Sequence, residues 1–252
     1  MENVVICEDI SLNLGGKPIL RNISLSIKRG ETFVLMGKNG CGKTVFLKSL
    51  VGLFRPQKGR ILLFGKDIFQ LKPLERASTL CKIGYVFQKS GLFDSLTVAE
   101  NVIFARRRFV KENQEELMAH ATTCLRRTGL QGVENKLPAE LSGGMQKRAG
   151  IARAIALDPE LLLMDDPTAG LDPILTDAIA ELILNIRESL HSTAVIITHD
   201  FNLAYKLAHR IGLMVAGELK AVCTTEEFQK SQDPYVVQFR EGLLSGPIPV
   251  VE

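Results

Sequence analysis

Short β-like runs alternate with helical stretches along the whole chain, a pattern that favours an α/β fold. Residues 4–10 and 23–27 alternate apolar with polar positions and predict half-exposed strands. Residues 32–36 (TFVLM), 161–164 (LLLM) and 194–197 (AVII) are unbroken apolar runs. They predict strands buried on both faces, as in a parallel sheet under helices. Each run ends abruptly in glycine, a carboxylate or Thr-His, and ligands of open α/β sheets bind beyond the carboxyl ends of such strands. From about 96 to 158 the pattern turns helical with no β-like run, and Leu137 and Pro138 read as a joint before another helix. That stretch predicts a helical insertion within the α/β domain. Towards the C-terminus the pattern predicts a hairpin over 212–222, a short helix near Glu226, another over 234–243, and an extended tail, SGPIPVVE.

The 252 residues suggest one large domain or two modest ones. With 46% hydrophobic and 23% charged residues, disorder and collagen-like repeats are excluded. No apolar run exceeds four residues, whereas a membrane helix needs about 20, so no bilayer span is expected. The opening MENVVICEDI lacks a basic-then-apolar segment, which argues against a secretory signal and predicts a soluble, cytosolic protein. A net charge of +3, no Trp and three Tyr give no footing for nucleic acid. Arg106, Arg107 and Arg108 read as a solvated helix face. Cysteines 7, 41, 81, 124 and 223 form no CxxC pair, so neither disulfides nor a zinc site is expected.

Three clusters carry chemistry. Gly37-Lys38-Asn39-Gly40-Cys41-Gly42-Lys43-Thr44 fits GxxxxGK[ST], follows a buried run and opens the helical VFLKSLVGL. Backbone N–H groups around Gly40 to Lys43 would form an anion nest at a helix N-terminus. Lys43 would reach the β- and γ-phosphates of a nucleotide, and Thr44 would ligate Mg²⁺. Asp165, ending the LLLM run, is placed to hold that ion, and Asp166 before Pro167 is placed to polarise an attacking water. The third cluster, Leu141-Ser142-Gly143-Gly144-Met145-Gln146, is a second glycine turn opening a helix, with Ser142 as its cap. It makes one anion cradle too many for one nucleotide. A two-fold dimer, each P-loop facing its partner's glycine turn, resolves the excess.

These residues resemble the ATP-binding subunit of ABC transporters over nearly the whole chain. The P-loop (Gly37 to Val45), a Q-loop at Gln88 (GYVFQ), the signature LSGGMQ, LLLMDDPTAGLDP and an H-loop at His199 (IITHD) stand in order. The resemblance implies one ATPase domain over 1–252, with a RecA-like P-loop core, an N-terminal antiparallel β subdomain and a helical subdomain at about 96–158. It implies ATP and Mg²⁺ as cofactors, with Gln88 joining Thr44 and Asp165 at the metal. It also implies head-to-tail dimerisation on ATP, Asp172 crossing the dimer interface and His199 contacting the γ-phosphate. His120, His191 and His209 read as ordinary surface histidines.

The stretch Gln88-Lys-Ser-Gly-Leu-Phe-Asp-Ser-Leu-Thr-Val and the end segments DPYVVQF and GPIP resemble more narrowly the ATPases paired with MCE-domain lipid transporters, the Mla-type group. That resemblance implies two copies of the chain, two membrane permeases and a membrane-anchored MCE protein at the cytoplasmic face of the inner membrane. The cargo would be phospholipid moving between inner and outer membranes, with segment 233–252 crossing to the other ATPase copy. Leu92, Phe93 and Leu96 are candidate anchors for a permease helix. A small-solute importer is the alternative, and a soluble switch protein of translation or DNA repair a more distant one.

The sequence departs from the family pattern at two positions. Asp166 stands where Glu is usual, which predicts slow hydrolysis. Leu14 falls near the position of the usual adenine-stacking aromatic, which predicts weak base selectivity. Separately, Cys41 lies at a helix N-terminus, which predicts a lowered thiol pKa and alkylation that ATP prevents.

Overall fold

The computed structural model describes residues 2–249. In chain order, β1 (Asn3–Leu14), β2 (Lys17–Lys28), β3 (Thr32–Met36), α1 (Lys43–Leu50), β4 (Lys58–Leu63) and β5 (Lys66–Asp67) lead into α2 (Pro73–Leu80). Next come β6 (Ile83–Val86), α3 (Val98–Val102), α4 (Arg106–Phe109), α5 (Gln114–Arg127), α6 (Gly143–Ile155), β7 (Leu161–Asp165) and α7 (Pro173–Leu190). Then follow β8 (Thr193–Ile197), α8 (Phe201–Leu207), β9 (Arg210–Val215), β10 (Glu218–Thr224), α9 (Thr225–Lys230) and α10 (Pro234–Glu241). The chain divides into two compact units, one formed by residues up to 76 together with those from 195 onward, the other by residues 77–194.

In the first unit, β2, β1, β4 and β5 form a sheet in that order, antiparallel throughout. β1 and β2 reach well beyond the alternating cores at 4–10 and 23–27. Gly15 and Gly16 both hold positive φ, the two-residue turn whose twist suits a hairpin, so pairing continues to Leu14 opposite Lys17. The same unit carries β10, β9 and β3 as neighbours. β9 and β10 form the expected hairpin, turning at Ala216 and Gly217, and β3 runs parallel to β9 with Met36 opposite Leu213. All five residues of β3 are buried, and its large apolar side chains contribute about 1.5–3 kcal/mol each. The end of β8 lies beside β3, where the Thr198 amide donates to the Leu35 carbonyl at 3.4 Å.

In the second unit, β6 runs parallel to β7, with Val86 opposite Met164. β7 is buried along its whole length, and the first residue of β8 is tied to the residue preceding β7, Thr193 N–H to Glu160 carbonyl at 2.9 Å. Helix α6 approaches β6 so closely that a Cβ on Gly84 would lie 2.4 Å from the Ala154 carbonyl oxygen. Among the described residues, no strand falls between 96 and 158. Asn101, fully buried, fastens the turn before α3. Its amide donates to the carbonyls of Phe93, Leu96 and Thr97 at 3.0–3.1 Å and accepts from the Phe93 N–H at 2.7 Å.

Two surface expectations are corrected. Arg106 is half-buried and paired with Glu112 while also donating to the Ala156 carbonyl, so only Arg107 and Arg108 make a solvated face. The tail does not run extended. Gln238 binds both the N–H and the carbonyl of Ile248, at 2.6 and 2.9 Å, and buries that residue against α10. Residues 250–252 of the tail lie outside the described residues.

Candidate functional site

The first unit supplies the phosphate-binding loop. β3 ends at Met36, and Gly37 follows where no side chain fits, because a Cβ would lie 2.2 Å from the Met214 carbonyl oxygen. Gly42 holds φ 111° beside the Ile19 carbonyl and starts α1. No side chain caps α1, whereas side chains cap α3, α5 and all of α6 to α10. Its first-turn N–H groups and the positive end of its dipole are thus left for an anion. Lys43 is buried and folds back over the loop, its Nζ donating to the carbonyls of Gly37 and Lys38 at 2.7 and 2.8 Å. Lys38, Asn39 and Gly40 are exposed, and Cys41, Thr44 and Val45 half-buried. Lys38 also donates to the Pro249 carbonyl at 2.8 Å, so the tail returns to this loop. His199, exposed just after β8, belongs to the same unit.

The second unit supplies two carboxylates and a glycine turn. Asp165 ends β7 and Asp166 follows it, each only 6% exposed. Asp166 holds φ 48°, a left-handed conformation that costs a non-glycine residue about 1–3 kcal/mol and persists only where its surroundings impose it. Gln88 is exposed two residues beyond β6. Ser142 caps α6, accepting from the Met145 N–H at 3.3 Å, and it and Gly143 are exposed while Gly144 is half-buried. Asp172 caps α7 through the N–H groups of Ile174 and Leu175 at 2.9 and 3.0 Å. The Ile174 side chain stands 82% exposed beside it. Residues 20–169 match the ABC transporter family.

The chain belongs to that family. Among its relatives, the probable ribonucleotide transport ATP-binding protein mkl of Mycobacterium leprae is 38% identical over 243 residues, covering 96% of this chain and 70% of the relative. The intermembrane phospholipid transport system ATP-binding protein MlaF of Haemophilus influenzae is 34% identical over 247 residues, covering 98% and 94%. Among solved structures, the ABC cassette MJ0796, a dimer in a post-hydrolysis state bound to ADP and Pi, superposes with a TM-score of 0.80 at 31% identity. That match covers 88% of this chain and 98% of that one. The chain is therefore an ABC ATPase, with the P-loop core and antiparallel β subdomain expected of one.

Within this ABC cassette one titration expectation reverses. Burial pushes the Cys41 thiol above its ordinary value, and the nearby Lys43 charge and backbone N–H groups offset only part of that. The loop thiol is therefore not activated, and alkylation at neutral pH is slow. Buried Cys7 is inert too, its thiol pushed up to about 12. Two histidines do more than face solvent. His209 Nδ1 accepts the Thr32 N–H at 2.9 Å, and His120 Nε2 lies 3.0 Å from the Ala156 carbonyl. His191 is exposed, closing α7. Leu14 sits half-buried at the β1–β2 turn.

Beside the Q-loop of the cassette, Phe93 is 44% exposed, with Phe104 stacked at 4.6 Å. Together with Tyr85, Phe87, Arg153 and Leu157 they line an apolar groove. Leu92 and Leu96 are half-buried and outside its lining, whereas Phe87 and Phe104 were not foreseen as part of it. An aromatic two residues after β6 carries no signal in sequence until its neighbours are known.

The donors fit Mg²⁺ by their chemistry. The Thr44 hydroxyl, the Gln88 amide and the Asp165 carboxylate are hard oxygen ligands. Among the described residues, no group of three or more His, Cys, Asp or Glu could hold a metal by itself. Such a sparse set suits an ion that takes its remaining ligands from nucleotide phosphates and water.

Proposed function

We propose that this ABC ATPase powers phospholipid transport between the inner and outer membranes, working as a homodimer beneath two permease subunits and with a membrane-anchored MCE protein. The observation that carries this reading is the near end-to-end similarity to MlaF, 98% of this chain against 94% of the relative. The Q-loop stretch and DPYVVQF point the same way. No helix among the described residues is long and apolar enough to cross a membrane, so the protein would sit peripherally, at the cytoplasmic face of the inner membrane. The groove around Phe93 would receive a permease helix, since helix-in-groove docking needs exposed apolar anchors. Segment 233–252 would reach the second copy, and 96–158 would be the helical subdomain.

In the proposed mechanism, the amides of Gly37, Lys38, Asn39, Gly40, Cys41, Gly42, Lys43, Thr44 and Val45 cradle the ATP phosphates. Lys43 moves from its loop carbonyls to the β- and γ-phosphate oxygens. Thr44, Gln88 and Asp165 would hold Mg²⁺, which supplies charge neutralisation at the phosphates when bound. Asp166 accepts the proton of the attacking water, and His199 contacts the γ-phosphate. Ser142, Gly143 and Gly144 of a second copy close on the same nucleotide, with Asp172 at the interface. An aliphatic Leu14 beneath the base would leave selectivity for adenine weak.

Because mkl is named for ribonucleotide transport, the second reading keeps the transporter and changes the cargo to a small solute. Affinity purification from detergent-solubilised native membranes, with mass spectrometry of co-purifying proteins and lipids, separates the two. The lipid reading expects a multi-span permease, an MCE-domain protein and phospholipid. Recovery of a solute permease with a periplasmic binding protein would overturn it.

A further inference from the structure

Helix α6 grips the backbone of the Q-loop along one face. Lys147 Nζ donates to the Gln88 carbonyl. Two turns further on, the Arg153 guanidinium donates to the carbonyls of Ser90, at 3.0 Å, and Gly91, and lies over the Phe87 ring at 5.4 Å from its centroid. Between them Gly150 brings the helix so near that a Cβ there would be 3.0 Å from the Ser90 carbonyl oxygen. Positions three and six apart share a helix face, so Lys147, Gly150 and Arg153 form one stripe against residues 87–91.

Lys147 is the odd member of that stripe. It is 7% exposed, and a buried ammonium is costly unless paired. Gln88 offers it only a neutral carbonyl. The charge that favours its ammonium form is Asp166, which works against the lowering of its pKa by burial. An apolar side chain would pack at less cost, so the cation has a use other than packing.

We propose that Lys147 is a positioning residue for ATP hydrolysis: it ties the Gln88 carbonyl to the Asp166 carboxylate, so that signature helix, Q-loop and catalytic carboxylate keep one arrangement. The proposal rests on Asp166 being the base. It gives the short aspartate a fixed counter-charge that orients it. It also makes displacement of the Q-loop or of the signature helix felt at the carboxylate within one chain.

The test compares the full-length protein with Lys147→Met and Lys147→Arg, measuring kcat, KM for ATP, and hydrogen exchange at the amides of residues 88–91 without nucleotide. Lys147→Met should lower kcat roughly 10- to 100-fold, leave KM within about threefold, and speed exchange in the Q-loop. Lys147→Arg, which keeps the cation, should restore most of both. In an Asp166→Asn background Lys147→Met should remove little further activity, because residues acting as a unit are not additive. Parental kcat and exchange in Lys147→Met, or an equal fold-loss with and without Asp166, overturns the proposal. Full hydrolysis by Asp166→Asn alone overturns instead the reading of Asp166 as the base. Should Lys147→Met fail to bind nucleotide, Lys147→Gln carries the same comparison.

Discussion

Asp166 decides how fast this cassette can run. One methylene less than glutamate draws the carboxylate back by roughly 1.5 Å, and a misplacement of about 1 Å costs around a hundredfold in rate. Its left-handed backbone and near-complete burial leave it little freedom to make up the distance. Asp166→Glu in the intact complex should therefore hydrolyse ATP roughly 10- to 100-fold faster than the parent, measured as phosphate release. A glutamate variant no faster than the parent would overturn the geometric argument. Residue identities of this kind are legible in the sequence, because a carboxylate after a buried strand has few other uses. Environment is not. The Cys41 thiol sits where helix position alone predicts activation, and burial reverses the sign. Lys147 reads as one more basic residue of a helix, and only the position of the Gln88 carbonyl gives it a role.

The elements were legible to different depths. β3 and β7 were visible as apolar runs because both faces are covered, which leaves no polar position to blur the pattern. The β1–β2 hairpin was seen only in part, since its outer ends are held by turn geometry and pairing rather than by alternation. Several helix starts are set by reciprocal caps. Thr97 with Glu100, Asn113 with Glu116, and Thr224 with Glu227 each exchange two hydrogen bonds. Bonds from the backbone N–H and then the hydroxyl of Thr97 hold the Glu100 carboxyl below its ordinary value, and Thr224 does the same to Glu227. A lowered carboxylate contributes stability that is present above its unfolded pKa and lost as pH falls through the folded one. Thr97→Ala should cost about 1 kcal/mol near pH 7 by urea unfolding. That cost should shrink below about pH 4, as Glu100 protonates and its half of the box is lost in the parent too. An equal cost at both pH values would mean that the box acts through the hydroxyl alone.

For the whole molecule, the exposed signature turn and the uncapped P-loop helix together point to a second copy. Ser142 and Gly143 face solvent on one chain, α1 leaves its first N–H groups for an anion, and Ile174 stands exposed beside Asp172. The count of anion cradles already called for a dimer in the sequence, and the family match places MJ0796, solved as a dimer, among its relatives. The groove lined by Phe87 and Phe104 was not legible, because aromatic residues 17 apart (Phe87, Phe104) meet only after α3 has turned the chain back. The measurement that tests this account most directly is complementation between two inactive variants. Lys43→Ala removes the phosphate-binding lysine. Gly143→Asp puts a negative charge in the glycine turn, where an added Cβ meets nothing within 4 Å and the fold is undisturbed. Each variant alone should be inactive, while their mixture should regain ATP hydrolysis, because a mixed head-to-tail dimer contains one site built from an intact P-loop and an intact signature. Activity that stays absent on mixing, with mixed dimers demonstrated by differential tags, would contradict a nucleotide site shared between two copies.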